Sequence, residues 1–170
     1  MKIWTYIFLS YVLVMSGWVE AKNNSSLVLP AYSKVFDDKR DPFKDAVDAI
    51  ALAKSSNRNV LIEIGGNWCS WCHKMDAFLA VNSDIYQQLH TKFVLLKINV
   101  SDTNDNADFM KSLPPVLGYP HMYVATQSGK MILSKDTAEL LNNEKYSRQL
   151  WQAFINEWQV SSVLTKKLVR

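Results

Sequence analysis

Apolar and polar residues are arranged along this chain in two patterns, one typical of strands and one typical of helices. Val60–Ile64 and Phe93–Ile98 are short, mostly apolar runs with the length and composition of buried strands. Elsewhere, apolar residues recur at every third or fourth position, which places them on one face of a helix. In the first half of the chain, the predicted elements are a short edge strand at 32–36, a helix from Asp41-Pro42 to about 55, a strand at 60–64 and a helix at 69–80 with a further turn at 83–89. A strand at 93–98 and a short helix within 102–113 follow. The last predicted elements are a strand at 122–125, its antiparallel partner at 130–134 and a helix capped by Asn142 or Asn143.

The order of these elements predicts the fold class. Strands that alternate with helices pair in parallel and carry helices on both faces of the sheet. The last two strands, joined by the Ser128-Gly129 turn, add an antiparallel edge. We therefore predict a single domain of the α/β class with a mixed central sheet.

The first residues of the chain have the pattern of a secretory signal. Lys2 precedes the apolar run 3–18, and Ala21 ends a stretch suited to cleavage by signal peptidase. The apolar run is short for a membrane span. We predict a signal peptide at 1–21, a leader segment at 22–31, a folded domain at 32–160 and a basic C-terminal tail at 161–170, with the mature protein periplasmic or secreted.

The composition is that of an ordinary globular domain, with 48% hydrophobic and 21% charged residues in a chain of 170. Cleavage near Ala21 removes one of the 19 basic and one of the 16 acidic residues, so the net charge stays at +3. The charges are interspersed rather than gathered into a stripe. No binding of nucleic acid is therefore predicted.

The two cysteines, Cys69 and Cys72, carry the clearest chemistry in the sequence. A disulfide between them closes a loop too small to restrict the unfolded chain much, so a purely structural bridge has little value here. A strand and a Gly-Gly turn lead instead to Cys69 at the start of a helix. The free amides and the dipole of a helix N-terminus stabilise a thiolate, the nucleophile in disulfide exchange. The pair is therefore predicted to be redox-active.

The surroundings of the cysteines resemble those of thioredoxin-fold proteins. Trp68-Cys69-Ser70-Trp71-Cys72 matches the Trp-Cys-x-x-Cys signature, and Gly118-Tyr119-Pro120, followed by a strand and a hairpin, matches the cis-proline loop. The likeness extends over 32–158, and 45–99 also resembles an exported group related to the C-terminal domain of Dsb-type thiol:disulfide interchange proteins. The resemblance implies a thioredoxin-like three-layer sandwich and a thiol–disulfide oxidoreductase whose redox group is the cysteine pair, with no separate cofactor or metal.

The resemblance also implies roles for individual residues. Cys69 is expected to be the nucleophile and the more exposed sulfur, and Cys72 to resolve the mixed disulfide. Glu63 stands where the family usually carries a buried aspartate. Burial there would raise its pKa and let it relay a proton from Cys72. The alternative is that strand alternation turns Glu63 to solvent.

Substrate-binding residues are predicted around the sulfurs. Pro120 is expected to follow a cis peptide bond, and the backbone of Tyr119 to pair with an extended substrate segment. Trp68, Trp71 and Tyr119 would supply an apolar surface for flexible protein substrates. Trp71 lies between the cysteines and is the stronger candidate for a contact residue, whereas Trp68 is equally consistent with a partly buried position.

Three residues of the motif bear on the direction of electron flow. The dipeptide Ser70-Trp71 has no evident donor that would hold the thiolate strongly, which favours a reductant or exchange protein over a strong oxidant. His73 lies four residues after Cys69, and a protonated ring near the sulfur would favour the thiolate. A solvated helix histidine without such a role is the alternative.

Two other functions are open from the sequence. The run Cys-Ser-Trp-Cys-His at 69–73 is also the attachment pattern of c-type haem, although the strand and turn that lead to it favour redox chemistry of the thiols. A non-catalytic thioredoxin-like binding module would keep the aromatic rim and lack thiol turnover. The predicted protein is a monomer whose partners are protein thiols and disulfides and an unidentified redox partner, with a membrane electron donor among the candidates.

Overall fold

The computed structural model describes residues 28–158, so the predicted signal peptide and the predicted tail at 161–170 lie outside it. None of the helices within this range is both long enough and apolar enough to cross a membrane. The helices are α1 (Pro42–Ser55), α2 (Ser70–Val81), α3 (Ser83–Lys92), α4 (Ala107–Met110) and α5 (Arg148–Glu157). The strands are β1 (Asn59–Gly65), β2 (Phe93–Asn99), β3 (His121–Ala125), β4 (Met131–Asp136), β5 (Leu141–Asn142) and β6 (Lys145–Tyr146), and two 3-10 turns lie at Ala31–Ser33 and Thr137–Leu140.

Four of the strands form a mixed central sheet in the order β2-β1-β3-β4. β1 and β2 run parallel, whereas β1 with β3 and β3 with β4 are antiparallel pairs. β5 and β6 form a separate short hairpin. The predicted α/β class with a mixed sheet is confirmed.

Helices cover both faces of this sheet, which gives the predicted three-layer sandwich. On one face, α2, α3 and α5 bury a cluster that includes Met75, Leu89 and Trp151. On the other face, α1 and α4 bury a cluster that includes Ala49 and Phe109. Removing this apolar surface from water is the main favourable contribution to the stability of the fold.

The central strand β1 carries side chains to both faces of the sheet. Leu61 belongs to the cluster beneath α2, whereas Ile62 and Ile64 belong to the cluster beneath α1. Because strand side chains alternate, Glu63 and Gly65 share the face of Leu61, on the side of α2. The C-terminal end of β1 is thereby joined by a short turn to the helix that carries Cys72.

The predicted edge strand at 32–36 is wrong. Ala31–Ser33 forms a single 3-10 turn instead, and the Ser33 hydroxyl donates to the Leu95 carbonyl oxygen of β2. Tyr32 and Phe36 are both buried, but Tyr32 packs on the α1 side of the sheet and Phe36 packs on the cysteines. The apolar residues of this segment reflect burial of an irregular stretch of chain rather than strand pairing.

The last helix begins later than predicted. Its N-cap is Ser147 and its first residue is Arg148. Asn142 ends β5, and Asn143 and Glu144 turn the β5–β6 hairpin with positive φ angles of 47° and 59°. Asparagine suits both a left-handed turn and a helix cap, so its presence alone does not distinguish the two.

Candidate redox-active site

A disulfide joins Cys69 and Cys72 where β1 leads into α2. Cys69 is the N-cap of α2, and its sulfur accepts a hydrogen bond from the Cys72 amide (N to Sγ, 3.1 Å). A cap side chain ordinarily uses an oxygen for this purpose. Here an amide and the positive end of the helix dipole are directed at the Cys69 sulfur, and both favour negative charge at that position.

The two glycines before the motif allow the backbone to approach its neighbours closely. A Cβ atom on Gly65 would lie 2.6 Å from Cys72 Sγ and 2.8 Å from Cζ of Phe36. A Cβ atom on Gly66 would lie 2.8 Å from the Val100 carbonyl oxygen. These distances are too short for a real side chain, which is the structural reason for the Gly-Gly pair.

Both cysteines are buried in the oxidised protein, Cys69 with 3% and Cys72 with 1% of its surface exposed. The expected contrast between an exposed and a covered sulfur is therefore slight. Phe36 packs on the pair from the segment before α1, and Trp71 and Tyr119 border it. The sequence reasoning missed Phe36 because this contact comes from a distant and irregular part of the chain.

Of the two tryptophans, Trp68 is the more exposed, although the sequence favoured Trp71 as the contact residue and left the burial of Trp68 open. Trp68 is 56% exposed, its indole Nε1 donates to the Val100 carbonyl oxygen (2.6 Å), and its ring meets Tyr119 edge-on with 5.2 Å between centroids. Trp71 is partly buried and packs edge-on against Tyr146. The first turn of α2 directs Trp71 towards the β5–β6 hairpin, so Trp68 is the more accessible aromatic surface beside the disulfide.

Tyr119 packs against the cysteine pair, and the Tyr119–Pro120 peptide bond is cis. Pro120 is buried, and its carbonyl oxygen accepts a hydrogen bond from the Thr137 hydroxyl (2.6 Å). Thr137 lies directly after β4. This contact ties the proline loop to the edge of the sheet beside the cysteines.

Tyr119 also borders two grooves. The first, of about 740 Å³, lies between Tyr119, Trp68 and the loop 100–105 that follows β2. The second, of about 340 Å³, is lined by Tyr119, Trp71 and Leu117, among others. Leu117 is 74% exposed. Apolar surface is therefore available next to the disulfide along both grooves.

Glu63 is buried, with 1% of its surface exposed, on the face of the sheet that α2 covers. Its neighbour in register on β2 is Lys97, which is also buried. The Lys97 Nζ atom lies 3.7 Å from Glu63 Oε2, and 2.6 and 2.7 Å from the two carboxylate oxygens of Asp76 on α2. The predicted burial of Glu63 is confirmed, and the solvent-facing alternative is wrong.

The sequence reasoning missed Lys97 and Asp76. The sequence carries a signal for each of them. Lys97 is the one charged residue in the apolar run 93–98, as Glu63 is in 60–64. Two such residues on neighbouring strands are expected to pair, because a lone buried charge is costly. Asp76 lies four residues after Cys72, which places both on one helix face.

Burial raises the pKa of Glu63 to about 7. The positive charge of Lys97 opposes this shift, and the negative charge of Asp76 adds to it. Burial by itself lowers the pKa of Lys97, but the carboxylates of Glu63 and Asp76 outweigh burial, and the net shift is upward. Lys97 therefore stays charged, while Glu63 is able to exchange a proton near neutral pH.

For His73, the sequence left open a contact with the Cys69 sulfur and a solvated position on the helix. Its exposed ring is hydrogen-bonded through Nε2 to the Asn67 carbonyl oxygen (2.8 Å) rather than to the sulfur of Cys69. Since a carbonyl oxygen only accepts, Nε2 carries the hydrogen. His73 thus links the first turn of α2 to the loop that leads to Trp68 and Cys69.

The disulfide is the reactive group that the described residues present. Both cysteine sulfurs of the chain are engaged in it. Over 28–158, no group of three or more His, Cys, Asp or Glu side chains is arranged to hold a metal ion.

The fold and the site together define a class of protein, the thiol–disulfide oxidoreductases with a thioredoxin fold. Residues 41–127 match the protein family described as Thioredoxin-like. The match spans half of the chain, and the chain belongs to that family. The resemblance seen in the cysteine motif and the proline loop is therefore confirmed.

Solved structures agree with this assignment. A disulphide isomerase from Xylella fastidiosa Temecula1 is 25% identical, superposes with a TM-score of 0.62, and is matched over 78% of this chain and 98% of its own. The C-terminal domain of DsbD from Neisseria meningitidis, in its oxidised form, is 16% identical with a TM-score of 0.52, over 74% of this chain and 99% of its own, and supports the fold alone. A search of curated proteins finds no match to this chain.

Proposed function

We propose that this protein is an exported oxidoreductase that reduces or exchanges disulfide bonds in other proteins. The observation that carries the proposal is the Cys69–Cys72 disulfide at the N-terminus of α2, bordered by Tyr119 and, beyond it, Trp68. The similarity to a disulphide isomerase, matched over nearly its whole length, supports protein disulfides as the substrate class.

In the first step, the Cys69 thiolate of the reduced protein attacks one sulfur of a substrate disulfide. A bond forms between Cys69 Sγ and that sulfur, the substrate S–S bond breaks, and its electron pair leaves on the second substrate sulfur as a thiolate. The Cys72 amide and the helix dipole support this assignment, because both stabilise negative charge at the cap position.

In the second step, Cys72 resolves the mixed disulfide. The Cys72 thiol loses a proton, for which Glu63 is the proposed acceptor, and the resulting thiolate attacks Cys69 Sγ. The Cys69–Cys72 bond forms, the bond to the substrate breaks, and the substrate sulfur leaves as a thiolate that takes up a proton. Two electrons have then passed from the cysteine pair to the substrate, and a dithiol of the redox partner restores the reduced pair.

We propose that substrates bind as extended segments across Tyr119. The two grooves that this residue borders support this, since both bring apolar surface to the disulfide. In this arrangement, Trp68 and Leu117 are the exposed large apolar side chains on the two sides, and Trp71 contributes through its partly buried ring.

We assign the protein to the reductants and exchange proteins rather than to the strong oxidants. A strong oxidant stabilises its reduced thiolate, and here the dipeptide Ser70-Trp71 contains no histidine that could do so, while the His73 ring is bonded to the Asn67 carbonyl. Equilibration of the Cys69–Cys72 pair with glutathione measures the potential. We expect a value at or below about −180 mV, and a value near about −120 mV would contradict the assignment.

Turnover of insulin disulfides tests the function itself. With a thiol reductant in excess, the wild-type protein should accelerate insulin reduction, and Cys69→Ser should abolish the acceleration. A wild-type protein that binds disulfide-containing partners without turnover would instead indicate a binding module. A Soret band from covalently attached haem would indicate a cytochrome and overturn the proposal.

Glu63→Gln tests the proton acceptor. Loss of the carboxylate should slow the resolving step at pH 7 on the order of 100-fold, because general-base assistance is lost. The rate is measured by following release of a peptide from a preformed mixed disulfide with Cys69. Glu157→Gln makes the same change at an exposed position on α5 and should leave the rate unchanged. Equal rates for wild type and Glu63→Gln would remove Glu63 from the mechanism.

Export is proposed on the pattern of 1–21 alone. Expression of the full-length chain in a Gram-negative host, followed by fractionation and N-terminal sequencing, tests it. A periplasmic product that begins near Lys22 is expected. A cytoplasmic product that retains Met1 would contradict export without affecting the redox chemistry.

A further inference from the structure

Asp76 takes no part in the two steps above, yet it makes the closest contacts to the buried lysine of the site. Both of its carboxylate oxygens lie within hydrogen-bond distance of Lys97 Nζ, at 2.6 and 2.7 Å. Glu63 Oε2 lies 3.7 Å from the same nitrogen, beyond hydrogen-bond distance. Glu63 Oε1 is buried and has no hydrogen-bond partner among the described residues.

This distribution of contacts is unusual for a buried ion pair. A buried carboxylate is ordinarily stabilised by full pairing and hydrogen bonding, since an incompletely satisfied charge is costly. Here the side chain of Glu63 is 2% exposed and only partly paired, whereas that of Asp76 is 45% exposed and paired through both oxygens. Lys97 thus donates its hydrogen bonds to the carboxylate that is already partly exposed to water, Asp76, and not to the buried carboxylate, Glu63.

We propose that Asp76 is a positioning residue, which draws the Lys97 ammonium group away from Glu63 and so leaves the buried carboxyl group able to take up a proton. The proposal rests on the role of Glu63 proposed above and extends it to a second carboxylate. Asp76 acts through Lys97 and not on the sulfurs. Its place on α2, one turn after Cys72, couples this arrangement to the helix that carries the resolving cysteine.

The other described groups around Glu63 do not have an equivalent effect on its ionisation. β2 contributes Lys97, and β3 contributes the apolar Met122 at the facing position. The β5–β6 hairpin contributes Tyr146, whose pKa burial raises to about 12, so it stays neutral.

Two further neighbours act on the lysine rather than on Glu63 directly. α3 contributes Tyr86, which interacts electrostatically with both Lys97 and Asp76, and burial also raises the pKa of Tyr86. The segment before α1 contributes the Phe36 ring, 4.8 Å from Lys97 Nζ. Asp76 is therefore the second carboxylate that competes for Lys97 among the residues described.

Loss of Asp76 and loss of Lys97 shift the titration of Glu63 in opposite directions. Without the Asp76 carboxylate, Lys97 is free to close on Glu63, and the negative charge that repels the Glu63 carboxylate is also lost. Both changes favour ionised Glu63 and lower its titration midpoint. Removal of Lys97 has the opposite effect, because ionised Glu63 then loses its counterion while Asp76 remains.

Carbon-13 NMR of the side-chain carboxyl groups tests this in the oxidised full-length protein, with Glu63→Gln to assign the resonance. We expect a midpoint near 7 for wild type. Asp76→Asn should lower it by about 1 pH unit or more, the effect of an opposite charge at close range. Asp76→Ala should act in the same direction, and Lys97→Met should raise the midpoint.

Asp48→Asn is the matched control, since Asp48 is paired with Lys44 on α1, on the opposite face of the sheet. It should leave the Glu63 midpoint unchanged. An unchanged or raised midpoint in both Asp76 variants would overturn the proposal, as would a shift of equal size in Asp48→Asn. Failure of the proton-acceptor role is a separate result: it would appear as normal resolving kinetics in Glu63→Gln, with the NMR midpoints still shifted as predicted.

Discussion

Gly65 brings the central strand into contact with the disulfide. It ends β1 on the face that α2 covers, and a side chain there would overlap Cys72 Sγ at 2.6 Å and the Phe36 ring at 2.8 Å. The sulfur is held in the disulfide and the ring is buried, so neither is free to move aside. A glycine is required here for space rather than for backbone freedom.

Gly65→Ala should therefore destabilise the oxidised protein by about 1 to 3 kcal/mol, the usual cost of overpacking a core. Urea unfolding of the oxidised protein measures it. Gly118→Ala is the control, because the nearest atom to a Cβ there is Asp136 Oδ1 at 3.9 Å, an ordinary contact. Equal stability of the two variants would show that the packing around the disulfide is looser than the structure indicates.

The residues that sequence reasoning identified are those fixed by a local motif. Cys69 and Cys72 are found from their spacing and from the elements around them, and Pro120 from the resemblance of its loop to the cis-proline loop of thioredoxin-fold proteins. Lys97 stands out in the sequence as the one charged residue of its strand, but its position directly opposite Glu63 depends on the strand register, which the sequence does not provide. The exposure of Trp68 likewise depends on where its indole finds an acceptor, the Val100 carbonyl in a separate loop.

Among the elements of the fold, the segment before α1 has the least predictable role. Its described part, residues 28–41, pairs with no strand of the sheet, yet Phe36 within it is 5% exposed and covers the disulfide beside Cys72. The same ring lies 4.8 Å from Lys97 Nζ. This segment therefore shields both the sulfurs and the charged network from water.

Phe36→Ala should cost about 3 kcal/mol in the free energy of unfolding and should speed reduction of the disulfide by dithiothreitol, because it opens a cavity beside the sulfurs. Phe43→Ala removes the same side chain from α1, where it is 52% exposed, and should have a much smaller effect on both measurements. An unchanged rate of reduction in Phe36→Ala would mean that the segment does not limit access.

The elements themselves were largely predictable, and their errors have a common origin. Strands β1 to β4 and helices α1 and α2 follow from apolar periodicity, with ends within a few residues of those observed. The edge strand at 32–36 and the start of α5 were wrong because short apolar or asparagine-rich stretches suit several backbone conformations. Only packing against the rest of the fold decides between them.

For the whole molecule, two buried groups give stability opposite dependences on pH. Burial raises the pKa of Glu63 from 4.5 to about 7, so the folded protein holds this proton more tightly than the unfolded chain does. The contribution of Glu63 to the free energy of unfolding is therefore fully present below pH 4.5 and is lost as pH rises through 7. Burial, with the positive charge of Arg58, lowers the pKa of His90 from 6.5 to about 4. The contribution of His90 is fully present above pH 6.5 and is lost as pH falls through 4.

His90→Gln isolates the second of these effects. Between pH 6.5 and 4, the free energy of unfolding of wild type should fall by about 3 kcal/mol more than that of the variant, since only wild type must keep a histidine neutral. Urea unfolding at a series of pH values measures the difference. Parallel curves would show that His90 titrates normally in the folded protein.

The central claim is that Cys69 attacks and Cys72 resolves. The most direct test treats reduced Cys72→Ser and Cys69→Ser proteins with a peptide disulfide and identifies covalent products by mass spectrometry. We predict a stable mixed disulfide at Cys69 in Cys72→Ser, because the resolving thiol is absent, and little adduct in Cys69→Ser. Adduct formation only at Cys72, or at neither cysteine, would contradict the account.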